Sequence, residues 1–241
     1  MFDVPSQYQA ETTIEPKTFT PREIKKPVRE RILQNIMTAQ LTWQIAGEDV
    51  PSYIDDDYRC EVIMGIDVKL KNLNDNAFFA EHIQHMVKSP CVIRFYNDSD
   101  EIFSFAHKRL SHTDTTQVVI LERIETPQLS MTFPDKTAKM LRSYLSYGKL
   151  LNITDKLSLY IEAVVKAFII SHPKLYSGVL EWLDRKLWYN RGEVLELFNK
   201  LLELQRLNAD LQAEKLPGEK AKLMSDIKSK IMDIKENEHG Q

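Results

Sequence analysis

The sequence predicts an α+β protein: a mostly antiparallel sheet with helices on one face, followed by an all-helical arm that ends in an antiparallel coiled-coil hairpin. Three observations lead there. Between Leu41 and Ile124 several segments alternate apolar and polar residues, the period of half-buried strands. From Asp135 onward that alternation stops and apolar residues recur at helical spacing instead. Near the end, Val194, Leu197, Leu201, Leu204 and Leu211 form one stripe, Leu223, Ile227, Ile231 and Ile234 form another, and Pro217-Gly218 stands between them.

Residues 1–18 lack periodicity and carry Pro5 and Pro16, so they read as an extended arm that docks on the body or stays mobile. Thr20-Pro21-Arg22-Glu23 has the form of a capping box, interrupted by Pro27, so the first long helix is expected from Pro27 to Thr38, burying Ile32, Ile36 and Met37. Leu41, Trp43 and Ile45 then alternate with polar residues as a strand. After the acidic run Asp55 to Asp57, Val62, Met64, Ile66, Val68 and Leu70 alternate with Glu61, Gly65, Asp67 and Lys69. A short helix from Asn76 to Lys88 carries Phe79, Ile83 and Met86 or Val87 and is stopped by Pro90. Three strands follow, Cys91 to Tyr96, Ile102 to Arg109 and Gln117 to Ile124. The first two are joined by Asn97-Asp98-Ser99-Asp100, whose short polar side chains favour a tight turn, so these two are expected to form a hairpin.

In the helical part, Asp135 is placed to cap one helix that Gly148 closes, and Thr154 or Asp155 to cap another with Leu157, Ile161, Val164, Val165, Phe168 and Ile169 on a broad apolar face. Pro173 starts a further helix containing Leu175, Val179, Trp182, Leu183 and Leu187, and Asn190-Arg191-Gly192 marks a break. The expected domains are an arm over 1–18, an α+β domain over 19–132, a helical linker region over 133–192 and a coiled-coil hairpin over 193–241.

A formal net charge of -3 over 241 residues argues against a protein that coats nucleic acid with basic surface throughout. The polar, acidic Met1 to Thr13 does not read as a signal peptide, and the longest apolar stretch, Ile161 to Ile170, is broken by Glu162 and Lys166, so no membrane span and a cytoplasmic location are expected. Cys60 and Cys91, both in strand-like segments, read as buried reduced thiols. The seven glycines form no phosphate loop, no dinucleotide fingerprint and no nucleophile elbow.

Five groups of residues are chemical candidates. Asp67 and Lys69 on one strand face, with Asp57 ten residues earlier, match the acid-x-lysine pattern of metal-dependent nucleases, in which carboxylates hold Mg²⁺ and the lysine steadies water. The plainer reading is a solvent-facing strand edge, since Asp57 lies in a polar run rather than on a strand of its own. His82 and His85 share a helix face without a third ligand, and His107 and His112 show no ligand spacing, so no metal and no cofactor are expected. Lys25, Lys26, Arg29 and Arg31 form one basic cluster and Lys220 and Lys222 belong to another, candidates for phosphate contact or merely solvated. Trp182, Trp188 and Tyr189 read as packing anchors more than as a base-stacking platform. Leu197, Leu201, Leu204, Asn208, Leu211, Ile227 and Ile231 make up the candidate partner-binding seam, where Asn208 is the polar member that fixes register or partner at some cost in stability.

Phe2-Asp3-Val4-Pro5, the basic helix before Leu41-Thr42-Trp43, the strand Ile63 to Lys71, Ile93-Arg94-Phe95-Tyr96 leading to Ala106-His107-Lys108-Arg109, and the lysine-rich tail together resemble a bacterial family catalogued as a domain of unknown function. That family defines no catalytic residues. The resemblance implies a setting beside superfamily-two helicases and DNA methyltransferases in anti-phage or restriction-type clusters, and hence a non-enzymatic accessory subunit that docks on a helicase or methyltransferase and contacts DNA only locally. A metal-dependent nuclease using Asp57, Asp67 and Lys69, and a stand-alone nucleic-acid-binding protein, are the alternatives. Self-association through the coiled coil is a further expectation.

Overall fold

The structure is a computed structural model and describes residues 2–114 and 117–236. The described chain divides into two compact units at Ser171/His172. In chain order the elements are β1 (Gln9–Ile14), α1 (Lys26–Asn35), β2 (Ile36–Ile45), β3 (Tyr53–Ile54), β4 (Arg59–Cys60), β5 (Ile63–Leu70), α2 (Asn76–Met86), β6 (Cys91–Tyr96), β7 (Asp100–Leu110), β8 (Val118–Glu125), β9 (Leu129–Ser130), α3 (Lys136–Tyr144) and α4 (Lys156–Ser171) in the first unit, and α5 (Arg191–Ala213) and α6 (Pro217–Glu236) in the second.

The sheet has the order β1-β2-β5-β6-β7-β8, with β9 beside β7, and β3 and β4 form a separate ribbon. It is mostly antiparallel, as expected. The exception is β5 and β6, which run parallel because α2 carries the chain back between them. The Asn97–Asp100 turn forms as the side chains require: Asn97 Oδ1 accepts from the amides of Ser99 and Asp100 at 2.9 and 2.8 Å, and β6 and β7 pair as a hairpin.

Alternation divides the sheet into two chemically different faces. Ile66, Val68, Leu70, Ile93, Phe95 and Ile102 point one way and bury against Ile32 of α1 and Phe79, Ala80 and Ile83 of α2. Gly65, Asp67, Val92, Arg94, Glu101 and Phe103 alternate with them and point the other way. Helices were expected on one face only. Arg142 of α3 meets Glu101 on the second face, so α3 stands there. Helix α4 packs against α3, β7 and β8, and every residue from Lys156 to Ile170 is buried. Its charges are compensated inside: Glu162 accepts from Lys166 Nζ at 2.5 Å and from the amides of Leu151 and Asn152, and Lys156 Nζ donates to Val50 O at 2.7 Å. Among the described residues no helix is long and apolar enough to cross a membrane.

Some local expectations are met and others are corrected. Residues 21–24 form turns, not a capped helix, and α1 begins at Lys26 with Pro27 in its first turn. Strand β2 starts at Ile36, five residues before Leu41, because Ile36 to Gln40 pair with Leu70 to Asp67; Met37 is left exposed. The N-terminal arm is structured: β1 pairs with β2, while Phe2, Val4, Tyr8 and Phe19 are buried. Asp135 and Asp155 cap α3 and α4 through the amides of Ala138 and Ser158. No helix starts at Pro173. Gly178, at φ 101°, turns the chain, and only the short 3-10 turns Val179–Asp184 and Leu187–Tyr189 follow. Trp182 and Trp188 are buried, with Trp188 Nε1 donating to Trp182 O at 3.0 Å; Tyr189 is exposed.

In the second unit Asn190 caps α5 through the amide of Gly192 at 3.0 Å, and Glu214 accepts from the amides of Lys215 and Leu216 in the link to α6. Lys200 meets Asp233 at 3.1 Å and Lys230 meets Glu203 at 2.6 Å. Residue numbers that fall on one helix as they rise on the other mean that α5 and α6 run antiparallel. Residues 237–241, included in the expected hairpin, lie outside the described residues.

Tyr58, in the turn of the β3–β4 ribbon, holds His107 of β7 by a 3.0 Å Oη···Nε2 contact and a stacked ring. Burial lowers the His107 pKa from 6.5 to about 4. Because the folded value lies below the unfolded one, the folded state takes up fewer protons in between; this contribution to stability is complete above about pH 6.5 and is lost as pH falls toward about 4. Urea unfolding followed across that window is expected to show a loss approaching about 3 kcal/mol that is absent in His107→Gln.

Candidate functional site

The second face of the sheet carries a cavity of about 440 Å³, lined by residues from the N-terminal arm, β2, β5, β6, β7 and α3. Its centre is Arg94. From the middle of β6 its Nη1 donates to Asp67 Oδ2 on β5 at 2.8 Å, and its Nε donates to Glu101 Oε2 on β7 at 2.7 Å. Nη2 lies 3.2 Å from Met131 Sδ, and the guanidinium sits 4.6 Å from the Tyr96 ring centroid. Burial works against this charge, but the hydrogen bonds and charges of Asp67 and Glu101 outweigh it and hold the guanidinium above its ordinary value. Glu101 is only 5% exposed; its other oxygen is 3.5 Å from Arg142 Nη2.

Aromatic groups build one wall. A Cβ placed on Gly65 would come within 2.1 Å of the Trp43 indole, so glycine at this strand position lets the ring lie on the sheet. Phe2 packs on Trp43 with centroids 5.1 Å apart and reaches Phe105 at 6.2 Å. Its carbonyl accepts from Tyr147 N–H at 2.6 Å, which ties the arm to the body. Asp3, next in the chain, has φ 42°, the left-handed region that non-glycine residues seldom occupy. Asp3 is among the residues that line the cavity.

The candidate nuclease residues separate. Asp67 is committed to Arg94, and Lys69 to Asp98 at 2.6 Å; the hydrogen bond and charge of Asp98 hold Lys69 above its usual value. Asp57 is elsewhere: its carboxyl meets His112 at 2.7 Å and its carbonyl accepts from Leu110 N–H. Arg94, beside Asp67, pairs with Phe103 on β7, and Leu110 lies seven residues further along that strand. At about 3.3 Å per residue the separation is roughly 23 Å. Among the described residues no group of three or more His, Cys, Asp or Glu side chains is arranged to hold a metal ion. His82 instead meets Phe19 O at 2.6 Å.

Most of the basic candidates on α1 have local partners. Arg29 donates to the carbonyls of Pro21 and Arg22, Arg31 pairs with Asp75 and lies over the Phe78 ring, and Lys26 is within 3.7 Å of Glu30; Lys25 is exposed. Lys222 lines a cleft of about 590 Å³ between α5 and α6 with Asp210, Glu214, Glu219 and Asp226, and Lys220 is exposed nearby. Of the seam residues, Leu197, Leu201 and Leu204 are buried, whereas Leu211, Ile227 and Ile231 are half-buried. Asn208 Nδ2 donates to Leu204 O at 3.0 Å.

Reading from the residues alone missed Arg94, Glu101, Arg142 and Trp43. The signal for Arg94 was its place between Val92 and Tyr96, out of phase with the apolar Ile93 and Phe95; Glu101 was hidden beside a turn. It also missed Lys108, which reaches through the core to donate to Val87 O at 2.5 Å and Gln84 O at 3.2 Å, so covering the C-terminal carbonyls of α2. Burial lowers the Lys108 pKa, partly offset by Cys91, whose thiol is raised by burial and lies 3.8 Å away.

Among known proteins, a family model described as a domain of unknown function (DUF4391) matches residues 2–231. No curated protein and no solved structure matches the chain.

Removing the guanidinium while keeping the bulk, as in Arg94→Met, leaves the buried Glu101 with only the long Arg142 contact and is expected to destabilise the first unit by about 3 kcal/mol. Adding Glu101→Gln and Asp67→Asn to that variant should restore most of the loss in urea unfolding. A triple variant no more stable than Arg94→Met would show that the carboxylates are not the cause.

Proposed function

We propose, for a chain that belongs to the DUF4391 family of domains of unknown function, that it serves as a non-enzymatic accessory subunit. In this reading α5 and α6 act as an antiparallel coiled-coil hairpin that docks on a larger partner. The observation that carries it is an incompletely covered seam. Leu216, Met224 and Met232 are 63%, 60% and 54% exposed, beside the half-buried Leu211, Leu223, Ile227 and Ile231. Exposed apolar side chains of this kind, Leu216 in the link and Met224 and Met232 on α6, favour an interaction surface, since covering them on a partner removes their area from water.

The seam residues then take different roles. Leu197, Leu201 and Leu204 hold the helix pair in place, and Leu211, Ile227 and Ile231, with the two methionines, are offered to the partner. The flexible methionines suit a surface that must adapt to another chain. A helicase or DNA methyltransferase of a cytoplasmic anti-phage or restriction-type complex is the partner that the family resemblance implies, with Lys25, Lys26 and Lys220 as local contacts to DNA.

Co-expression of the tagged full chain with the products of adjacent helicase or methyltransferase genes tests this. Met224→Asp with Met232→Asp should weaken co-purification at least about tenfold, equivalent to about 1.4 kcal/mol, while circular dichroism keeps its helical signal. Undiminished complex formation by a folded double variant would overturn the reading.

A further inference from the structure

We propose that the cavity around Arg94 binds a small zwitterion that also carries an apolar group, of the class of a free amino acid with a large apolar side chain or a short peptide of such residues. The inference is independent of the docking role of α5 and α6. It rests on which polar groups of the cavity are already committed and which are not.

The committed groups form a closed set. Arg94 is engaged by Asp67, Glu101 and Met131, and the Thr42 hydroxyl donates to Gly65 O at 3.2 Å and lies 3.5 Å from Asp67 Oδ1. Three lining groups remain. Among the described residues, the Asp3 carboxyl and the Gln9 amide make no side-chain hydrogen bond, and Arg142 makes one long 3.5 Å contact with its side chain 49% exposed. A guanidinium has five N–H donors, so most of its capacity is open. The cavity therefore presents one anion without a side-chain partner, one cation held only by a single long contact to Glu101, and one amide. Phe2, Val92, Phe103 and Trp43 supply apolar lining beside them.

That inventory selects a ligand class. A nucleotide or other polyanion would need more than one open cation and would face Asp3 and Asp67. A bare cation would leave Arg142 unmatched. A neutral apolar molecule would make no use of either charge. A zwitterion places its ammonium on Asp3, its carboxylate on Arg142 and its side chain against the aromatic wall. The volume of about 440 Å³ falls in the ordinary range for small-molecule sites, roughly 300–1,000 Å³. Asp3 is held in place for this by its left-handed backbone, by the Phe2 ring on Trp43 and by the Tyr147 amide on Phe2 O.

Trp43 lines the cavity, so quenching of tryptophan fluorescence reports occupancy, with isothermal titration as the second measure. The full chain is titrated with L-leucine, L-phenylalanine and the dipeptide Leu-Phe, and with two analogues that each lack one charge, phenethylamine and 3-phenylpropionate. At least one of the first three should bind at least about tenfold more tightly than both analogues. Tighter binding of the dipeptide assigns the site to peptide ends, and tighter binding of an amino acid assigns it to the free metabolite. Asp3→Asn and Arg142→Gln, both at exposed side chains, should each weaken that binding about tenfold without altering the unfolding midpoint by more than a few degrees. Equal binding of an analogue, unchanged affinity in both variants, or no binding by any of the three zwitterions up to about 10 mM would overturn the proposal.

Discussion

The Arg94 side chain is the interaction on which the first unit's second face depends. It ties three adjacent strands together through side chains alone: Asp67 from β5, Arg94 from β6 and Glu101 from β7. Glu101 is nearly excluded from water and, among the described residues, its one further close cation is Arg142 at 3.5 Å. Taking such a carboxylate out of solvent costs several kcal/mol, and a well-formed charge network only about offsets that cost. Apolar residues of similar volume would therefore serve stability equally well. The network instead gives the middle of the sheet a polar, geometrically defined floor where a second apolar core would otherwise form.

That floor exists because of the topology. A parallel pair cannot be closed by a tight turn, so the chain between β5 and β6 makes a crossover, and α2 is that crossover. Once α2 and α1 cover one face with Phe79, Ile83 and Ile32, the opposite face has to be closed by whatever remains. The N-terminal arm and α3 supply the cover from opposite ends of the first unit's sequence. Phe2 seats on Trp43, which lies flat only because residue 65 has no Cβ. Closure of this kind, by two segments rather than one continuous helix, leaves a cavity rather than a packed layer.

Much of this was legible from the residues where a short-range rule decides the structure. The strand Cys91 to Tyr96, the Asn97 turn and the caps Asp135 and Asp155 each follow from local chemistry, and they form where that chemistry puts them. The arm was not legible. Gln9 to Ile14 is a polar edge strand, and its partner β2 is recruited across a long stretch of sequence, so neither period nor turn residues announce it. The same limit acts on the site. Asp67 stood out as a carboxylate on a strand, but its partner was sought in Asp57, nearby in sequence, whereas the sheet register supplies Arg94 from the next strand. Register is a tertiary property, and no spacing along the chain encodes it. Lys108 was hidden for a related reason: its ammonium is buried only because α2 ends where its carbonyls need a donor.

The helices of the second unit show a gradient that bears on what they contact. Toward the start of α5 and the end of α6, Lys200, Glu203, Lys230 and Asp233 are joined in ion pairs, and Val194, Leu197, Leu201 and Ile234 are buried. Toward the connecting turn the pairing stops. Asp210, Glu219 and Asp226 make no ion pair among the described residues, and together with Glu214 they place four carboxylates around a cleft that has only Lys215 and Lys222 as cations. Lys220 and Lys228 are exposed close by, so this end presents charges of both signs beside its apolar side chains. Apolar side chains beside charges of both signs are the setting in which burial provides affinity to a partner and the charges set which partner fits.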